Sequence, residues 1–233
     1  MNLRLRSGIV GLLGPNGSGK TTLLSVLGGG IRPAPGHASI VGQDLSTGVG
    51  RRAVRGCVGY LPQRFDVSGA MRLRDTVGYA AWCNGVARQR LGIVTNRALA
   101  LVELTDRAQD RVRHLCGGQR QRLGLAASVA HGPRVLLLDE PTSGLDLEQR
   151  VRFRRCLREL AEYATVVLAT HLLEDVQQTA DHLVIMAAGK IAFDGAPEKL
   201  RALGEWVAGR FGETVFERGY RSALATASGG ESG

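Results

Sequence analysis

The sequence predicts an α/β fold with a mainly parallel central sheet, on three observations. Short apolar runs at residues 9–13, 57–60, 135–138 and 165–169 have the length and composition of strands buried on both faces. Helix-compatible stretches alternate with them, which is the order a parallel sheet requires. Two of the runs lead straight into polar motifs, and in open α/β sheets the carboxyl ends of the strands are where ligands bind.

The elements follow in order along the chain. Leu3 and Leu5 alternate with Arg4 and Arg6, which reads as a half-exposed strand. Residues 22–27 follow a glycine-rich turn and read as a helix. Between about 68 and 130 the pattern is mostly helical, with helices expected over 72–85, 96–104 and 117–130, so this block reads as an insertion between two core strands. Residues 182–186 and 190–193 flank the turn Ala188-Gly189 and predict a hairpin. From these elements one domain is expected over 1–220. The Ser/Gly/Ala-rich stretch 221–233 is expected to be a disordered tail.

Composition sets bounds. With 44% hydrophobic and 22% charged residues the chain has the balance of a globular domain, which excludes an intrinsically disordered one. The net charge of +9 is carried almost wholly by arginine, since Lys20, Lys190 and Lys199 are the only lysines. A basic balance favours anionic partners such as nucleotide, nucleic acid or a membrane surface. Arg150, Arg152, Arg154, Arg155 and Arg158 could form such a patch, but a solvated helix face is the expected reading. Cys57, Cys83, Cys116 and Cys156 show no CxxC spacing, which leaves no zinc or redox motif and implies a reduced, cytosolic setting. No apolar run approaches the roughly 18 residues of a membrane span, so work at a membrane would need another chain to cross it.

Gly14-Pro15-Asn16-Gly17-Ser18-Gly19-Lys20-Thr21 matches G-x-x-x-x-G-K-[ST] between an expected strand and an expected helix. Glycines let successive backbone N–H groups turn toward phosphate oxygens, and the helix that follows points its positive end at the same anion. Lys20 can reach the outer phosphates of a nucleotide. The Thr21 hydroxyl can ligate Mg²⁺, and Thr22 continues the same turn. The apolar run 135–138 ends in Asp139 and Glu140. Two carboxylates beside a phosphate need a cation between them. Asp139 is therefore expected to hold Mg²⁺ through water, and Glu140 to polarise the water that attacks the γ-phosphate.

With these motifs in hand, the chain resembles the ATP-binding cassette ATPases over nearly its whole length. Gln63, in Gly59-Tyr60-Leu61-Pro62-Gln63, is similar to that family's glutamine loop. Leu115-Cys116-Gly117-Gly118-Gln119 is similar to its LSGGQ signature. Pro141-Thr142 follows the acid as it often does there. Ser143-Gly144-Leu145-Asp146 resembles the loop that crosses to a partner subunit, and His171 resembles the switch histidine. The resemblance implies a P-loop NTPase core, a small antiparallel β subdomain shortened at its N-terminus, and an inserted helical subdomain. It implies ATP and Mg²⁺ as ligands, with Gln63 at the metal. Cys116, Gly117, Gly118, Gln119 and Asp146 would serve a nucleotide on the opposite subunit of a dimer, expected to be a homodimer. His171 would bond the γ-phosphate and hold Glu140. A separate transmembrane permease is the implied partner, at the inner face of the cell membrane. Residues 60–86 and 171–175 resemble bacterial exporter ATPases.

Two departures shape the expectations. Fewer residues precede Gly14 than the family usually has, and none is aromatic. Adenine stacking, worth about 1–3 kcal/mol in nucleic-acid sites, is therefore expected to be lost, or the start to lie upstream. A missing first strand would also leave a sheet edge unpaired. Cys116 stands where the family has serine. A thiol is a weak donor, so reduced turnover is expected. Other readings are a regulatory nucleotide-binding module with little turnover, and an ATPase acting on nucleic acid or ribosomes. Nucleic acid is not the expected partner, because such relatives usually carry two cassettes or a long coiled-coil insertion.

Overall fold

Strand β1 (Ile9–Leu13) is buried at every residue, so it needs neighbours on both edges and cover on both faces. The computed structural model, which describes residues 3–209 and 212–229, supplies them. The main sheet has the order β4-β5-β6-β1-β7-β8, with β4 at Val58–Leu61, β5 at Val135–Asp139, β6 at Thr165–Thr170, β7 at His182–Ala187 and β8 at Lys190–Gly195. The pairings are parallel except β7 with β8, which is the antiparallel hairpin expected from sequence. A second sheet pairs β2 (Ser39–Ile40) with β3 (Gln43–Asp44).

Helices cover the sheet. They are α1 (Lys20–Leu27), α2 (Gly48–Arg55), α3 (Leu73–Cys83), α4 (Leu91–Leu101), α5 (Gly117–Val129), α6 (Leu147–Ala161), α7 (Leu173–Thr179), α8 (Pro197–Glu205) and α9 (Val215–Gly229). One apolar cluster joins α3, α4 and α5 of the insertion to β5, β6 and α6, with Phe153, Leu123 and Leu138 at its centre. A second lies on the other face between α1, α2 and the strands. Helix α7 crosses β1 at Gly11, where an added Cβ would run into the Val176 side chain. The insertion therefore shares a core with the sheet. This is an α/β fold with a mainly parallel sheet, a small antiparallel sheet and a helical insert.

Three expectations are corrected. Residues 3–6 form no strand. Leu3 and Leu5 pack half-buried on the second cluster, and Gly8, at φ 94 against the Asp181 side chain, turns the chain before β1 begins. Residues 221–229, expected to be disordered, are the second half of α9. Phe216 and Ala223 are buried there with Leu200 of α8, which small residues permit because Gly204 and Gly219 let the two helix backbones meet. Residues 230–233 lie outside the described residues. Arg154, expected on a solvated face, is buried and ion-paired to Asp175 at 3.0 Å.

Candidate active site at the carboxyl edge of the sheet

Strand β1 delivers Gly14, and the loop returns to α1 through glycines at φ 80 (Gly17) and φ 100 (Gly19), values that residues with a Cβ rarely adopt. Pro15, Asn16 and Gly17 are exposed at the tip, as are Thr21 and Thr22 on the first turn of α1. A Cβ at Gly14 would collide with the Met186 carbonyl and the Ser18 hydroxyl. The β7–β8 turn braces the loop from behind, with Gly189 N–H donating to Ser18 O at 3.1 Å. Lys20 is buried. Its Nζ donates to Gly14 O at 2.6 Å and Pro15 O at 3.2 Å, and lies 3.9 Å from Glu140 Oε1. Burial pushes its pKa below the ordinary lysine value, against the opposing pull of Glu140 and Asp139. The Ser18 hydroxyl is buried without a partner among the described residues. A glycine cradle, an unpartnered hydroxyl donor and a desolvated ammonium together fit an anion with several oxygens, such as a nucleotide phosphate.

Asp139 ends β5 and is buried. Burial first, and the charge of Glu140 second, raise its pKa. The nearby Thr21 hydroxyl and Lys20 oppose them. Glu140 sits just past the ladder in the left-handed region, at φ 49, with its N–H on Ala169 O at 2.8 Å. That conformation aims its carboxylate at the end of β6. There Oε2 accepts from Thr170 Oγ1 at 3.2 Å and lies 2.9 Å from His171 Nδ1. Glu140 is buried, while the His171 side chain is 47% exposed, so the pair has one face in the protein and one in solvent. Thr170 was not singled out from sequence. The signal for it was a hydroxyl at a buried strand end beside a histidine.

The remaining sequence candidates gather elsewhere. Gln63, exposed just past β4, lines a groove of about 270 Å³ with Gly117, Arg120 and Gln121 of α5 and residues 143–145. Cys116 is exposed and caps α5, its amide donating to Gln119 Oε1 at 3.1 Å. The same oxygen accepts from Arg107 at 2.6 Å, so Gln119 is engaged inside the insertion. Gly117 faces open space, whereas Gly118 is pressed against Gln149 of α6. Asp146 caps α6 by accepting from Gln149 N–H at 2.8 Å. Among the described residues, no hydrogen bond joins Gln63 or residues 116–119 to the phosphate loop. The structure therefore brings Lys20, Glu140 and His171 into one bonded cluster with Thr21 and Asp139 beside it, and sets the 116–119 segment apart from it. Among the described residues no three His, Cys, Asp or Glu side chains group to hold a metal unaided.

Known proteins resemble the chain in sequence and in fold. A family model described as "ABC transporter" matches residues 1–143. The chain is 35% identical over 192 residues to an uncharacterized ABC transporter ATP-binding protein, YxlF, of Bacillus subtilis, covering 82% of this chain and 63% of that protein. It is 38% identical over 199 residues to the sulfate/thiosulfate import ATP-binding protein CysA of Vibrio vulnificus, covering 83% and 57%. The chain thus spans less than two thirds of the length of these relatives. A solved structure titled "Structure of ATP binding subunit of ABC transporter" superposes with a TM-score of 0.77 over 93% of this chain and 88% of that one, at 24% identity, a likeness of fold. The phosphate loop, the acid pair at the end of β5 and a family match over more than half of the residues lead to one conclusion: the chain belongs to the ABC transporter family, as an ATP-binding domain.

Proposed function

We propose that the chain is the ATP-hydrolysing subunit of a membrane transporter. The observation that carries the reading is the bonded cluster of Lys20, Glu140 and His171 at the mouth of the glycine cradle. In this reading Lys20 leaves the loop carbonyls for the outer phosphates of ATP. Glu140 takes a proton from the attacking water, and His171 keeps the Glu140 carboxylate facing it. The unpartnered Ser18 hydroxyl and the glycine amides hold the phosphates. Thr21, Asp139 and Gln63 would hold Mg²⁺, whose chemistry when bound is to neutralise charge between the β- and γ-phosphates.

A dimer is part of the proposal. Gly117 opens onto free space and Cys116 is exposed at the start of α5, far along the chain from the phosphate loop. Both suit a nucleotide held by a second copy, as the signature of the family does. The permease would be a separate chain, as the family resemblance implies; no described helix is long and apolar enough to cross a membrane. Placement at the inner membrane face follows from that partnership. Export is the direction we infer, from the resemblance of residues 60–86 and 171–175 to exporter ATPases. The names of several relatives specify import, so direction is tested by transport in vesicles carrying the permease.

The first test is Mg²⁺-dependent ATP hydrolysis by the purified chain and its Glu140→Gln variant. Loss of a general base costs roughly 10²–10⁴-fold, so the variant is expected to lose at least a hundredfold. Equal rates in both would sink the assignment of Glu140.

A further inference from the structure

A second cluster lies directly behind the acid and the histidine, built from residues with no role in the reading above. Asp175, on the first turn of α7, is fully buried. Its Oδ2 accepts from the Thr142 hydroxyl at 2.6 Å, and its Oδ1 from Arg154 of α6 at 3.0 Å. Thr142 is itself buried, two residues after Glu140. Asp175 is four residues after His171.

These positions close a ring. From Glu140 the chain runs through Pro141 to Thr142, crosses the short bond to Asp175, returns along α7 to His171, and crosses back to Glu140 at 2.9 Å. Glu140 occupies the left-handed region, so a small change in the loop after it swings its carboxylate. Thr142 is the point where that loop is bonded to the segment carrying the histidine. Arg154 holds the other Asp175 oxygen, which keeps the carboxylate from turning away from Thr142 and leaves neither buried charge without a partner. A carboxylate, unlike a neutral acceptor, engages both donors with strong charge-assisted bonds.

We infer that Thr142 and Asp175, backed by Arg154, are positioning residues that set the Glu140–His171 geometry. The inference rests on the ATP-hydrolysis reading. An ångström of misplacement at a reacting group can cost about a hundredfold, while phosphate binding depends on a loop to which, among the described residues, no side-chain bond of Thr142, Asp175 or Arg154 runs. The ring therefore acts on kcat and spares nucleotide affinity.

The test uses Thr142→Val, which keeps the shape and removes the hydroxyl, and Thr142→Ser, which restores it. Three quantities are measured on the full chain: kcat for ATP, affinity for a non-hydrolysable ATP analogue, and exchange of the Glu140 and His171 amides. Thr142→Val is expected to lower kcat at least tenfold with analogue affinity within twofold, and Thr142→Ser to recover most of kcat. Unchanged kcat in Thr142→Val overturns the inference, and so does a loss of kcat matched by loss of affinity. If the wild-type chain shows no Glu140-dependent hydrolysis, the function reading fails and amide exchange decides the positioning role by itself. Faster exchange in Thr142→Val but not Thr142→Ser upholds it, and equal exchange overturns it.

Discussion

At the scale of one side chain, the titration of Asp139 gives its proposed cation role a test. Its pKa is raised, so the folded protein holds this proton more tightly than the unfolded chain does. The contribution of Asp139 to stability is therefore full below the unfolded value of 3.8 and falls as pH rises through the raised folded value. Once ionised, the carboxylate is a cost that a bound cation offsets. The oxygens of Thr21, Asp139 and Gln63 are too few for the six ligands of Mg²⁺, so phosphate and water are expected to supply the others. Mg²⁺ alone is expected to leave the melting temperature unchanged at pH 7, and Mg²⁺ with ATP to raise it by several degrees. That gain should fade as acid protonates Asp139. Thermal melts across pH 4–8 check this, and a gain that persists undiminished at the acid end would argue against Asp139 as a ligand. These residues were legible because their spacing is a motif. Thr170 and Asp175 were not, since a buried hydroxyl or carboxylate matters through neighbours about thirty residues away in sequence.

Among the elements, the β7–β8 hairpin carries a local conflict. Its two turn residues, Ala188 and Gly189, sit at φ 48 and φ 75, the left-handed pair of a type I′ turn. Glycine suits this position, but alanine costs about 1–2 kcal/mol there. Ala188 is exposed, so Ala188→Asn is expected to stabilise the fold by about 0.5–1 kcal/mol, read as a higher denaturant midpoint. A lower midpoint would show that the turn is held by something other than backbone preference. Buried strands and the hairpin were legible because apolar runs and turn residues report them directly. Helix α2 was not, since Gly-Val-Gly-Arg-Arg-Ala-Val-Arg buries only Gly50 and Val54 and its one clear signal is the Thr47 cap, accepting from Gly50 N–H at 3.0 Å. The α8–α9 pair was hidden for a related reason. Glycines that look like breakers in the sequence are the points where the two helices touch.

For the whole molecule, the segments assigned to one reaction stand apart within a single copy. Residues 116–119 make their hydrogen bonds inside the insertion, while the phosphate loop is bonded to the acid cluster. In the proposed dimer, ATP is shared between them. The Glu140→Gln variant, which binds without consuming, is expected to dimerise on saturating ATP. The wild type should return to monomer as ATP is spent, followed by light scattering. A monomeric variant at saturating ATP would leave the 116–119 segment without the role given to it. Sequence named both halves and, through the family resemblance, implied that they act across a dimer; the bonds that engage each half separately within one copy were not legible.

The central place of β1 has a consequence for how the protein is made. This strand is synthesised well before its partners β6 and β7, which are both complete only at about residue 187. At a synthesis rate of about 5–20 residues per second, that delay is roughly ten to thirty seconds. Throughout it Ile-Val-Gly-Leu-Leu lacks at least one of its two edge partners. The phosphate loop lacks the hairpin behind it, so a nascent chain cannot hold nucleotide until most of its length has emerged. The long gap between β1 and its neighbours is thus a property of the strand order itself.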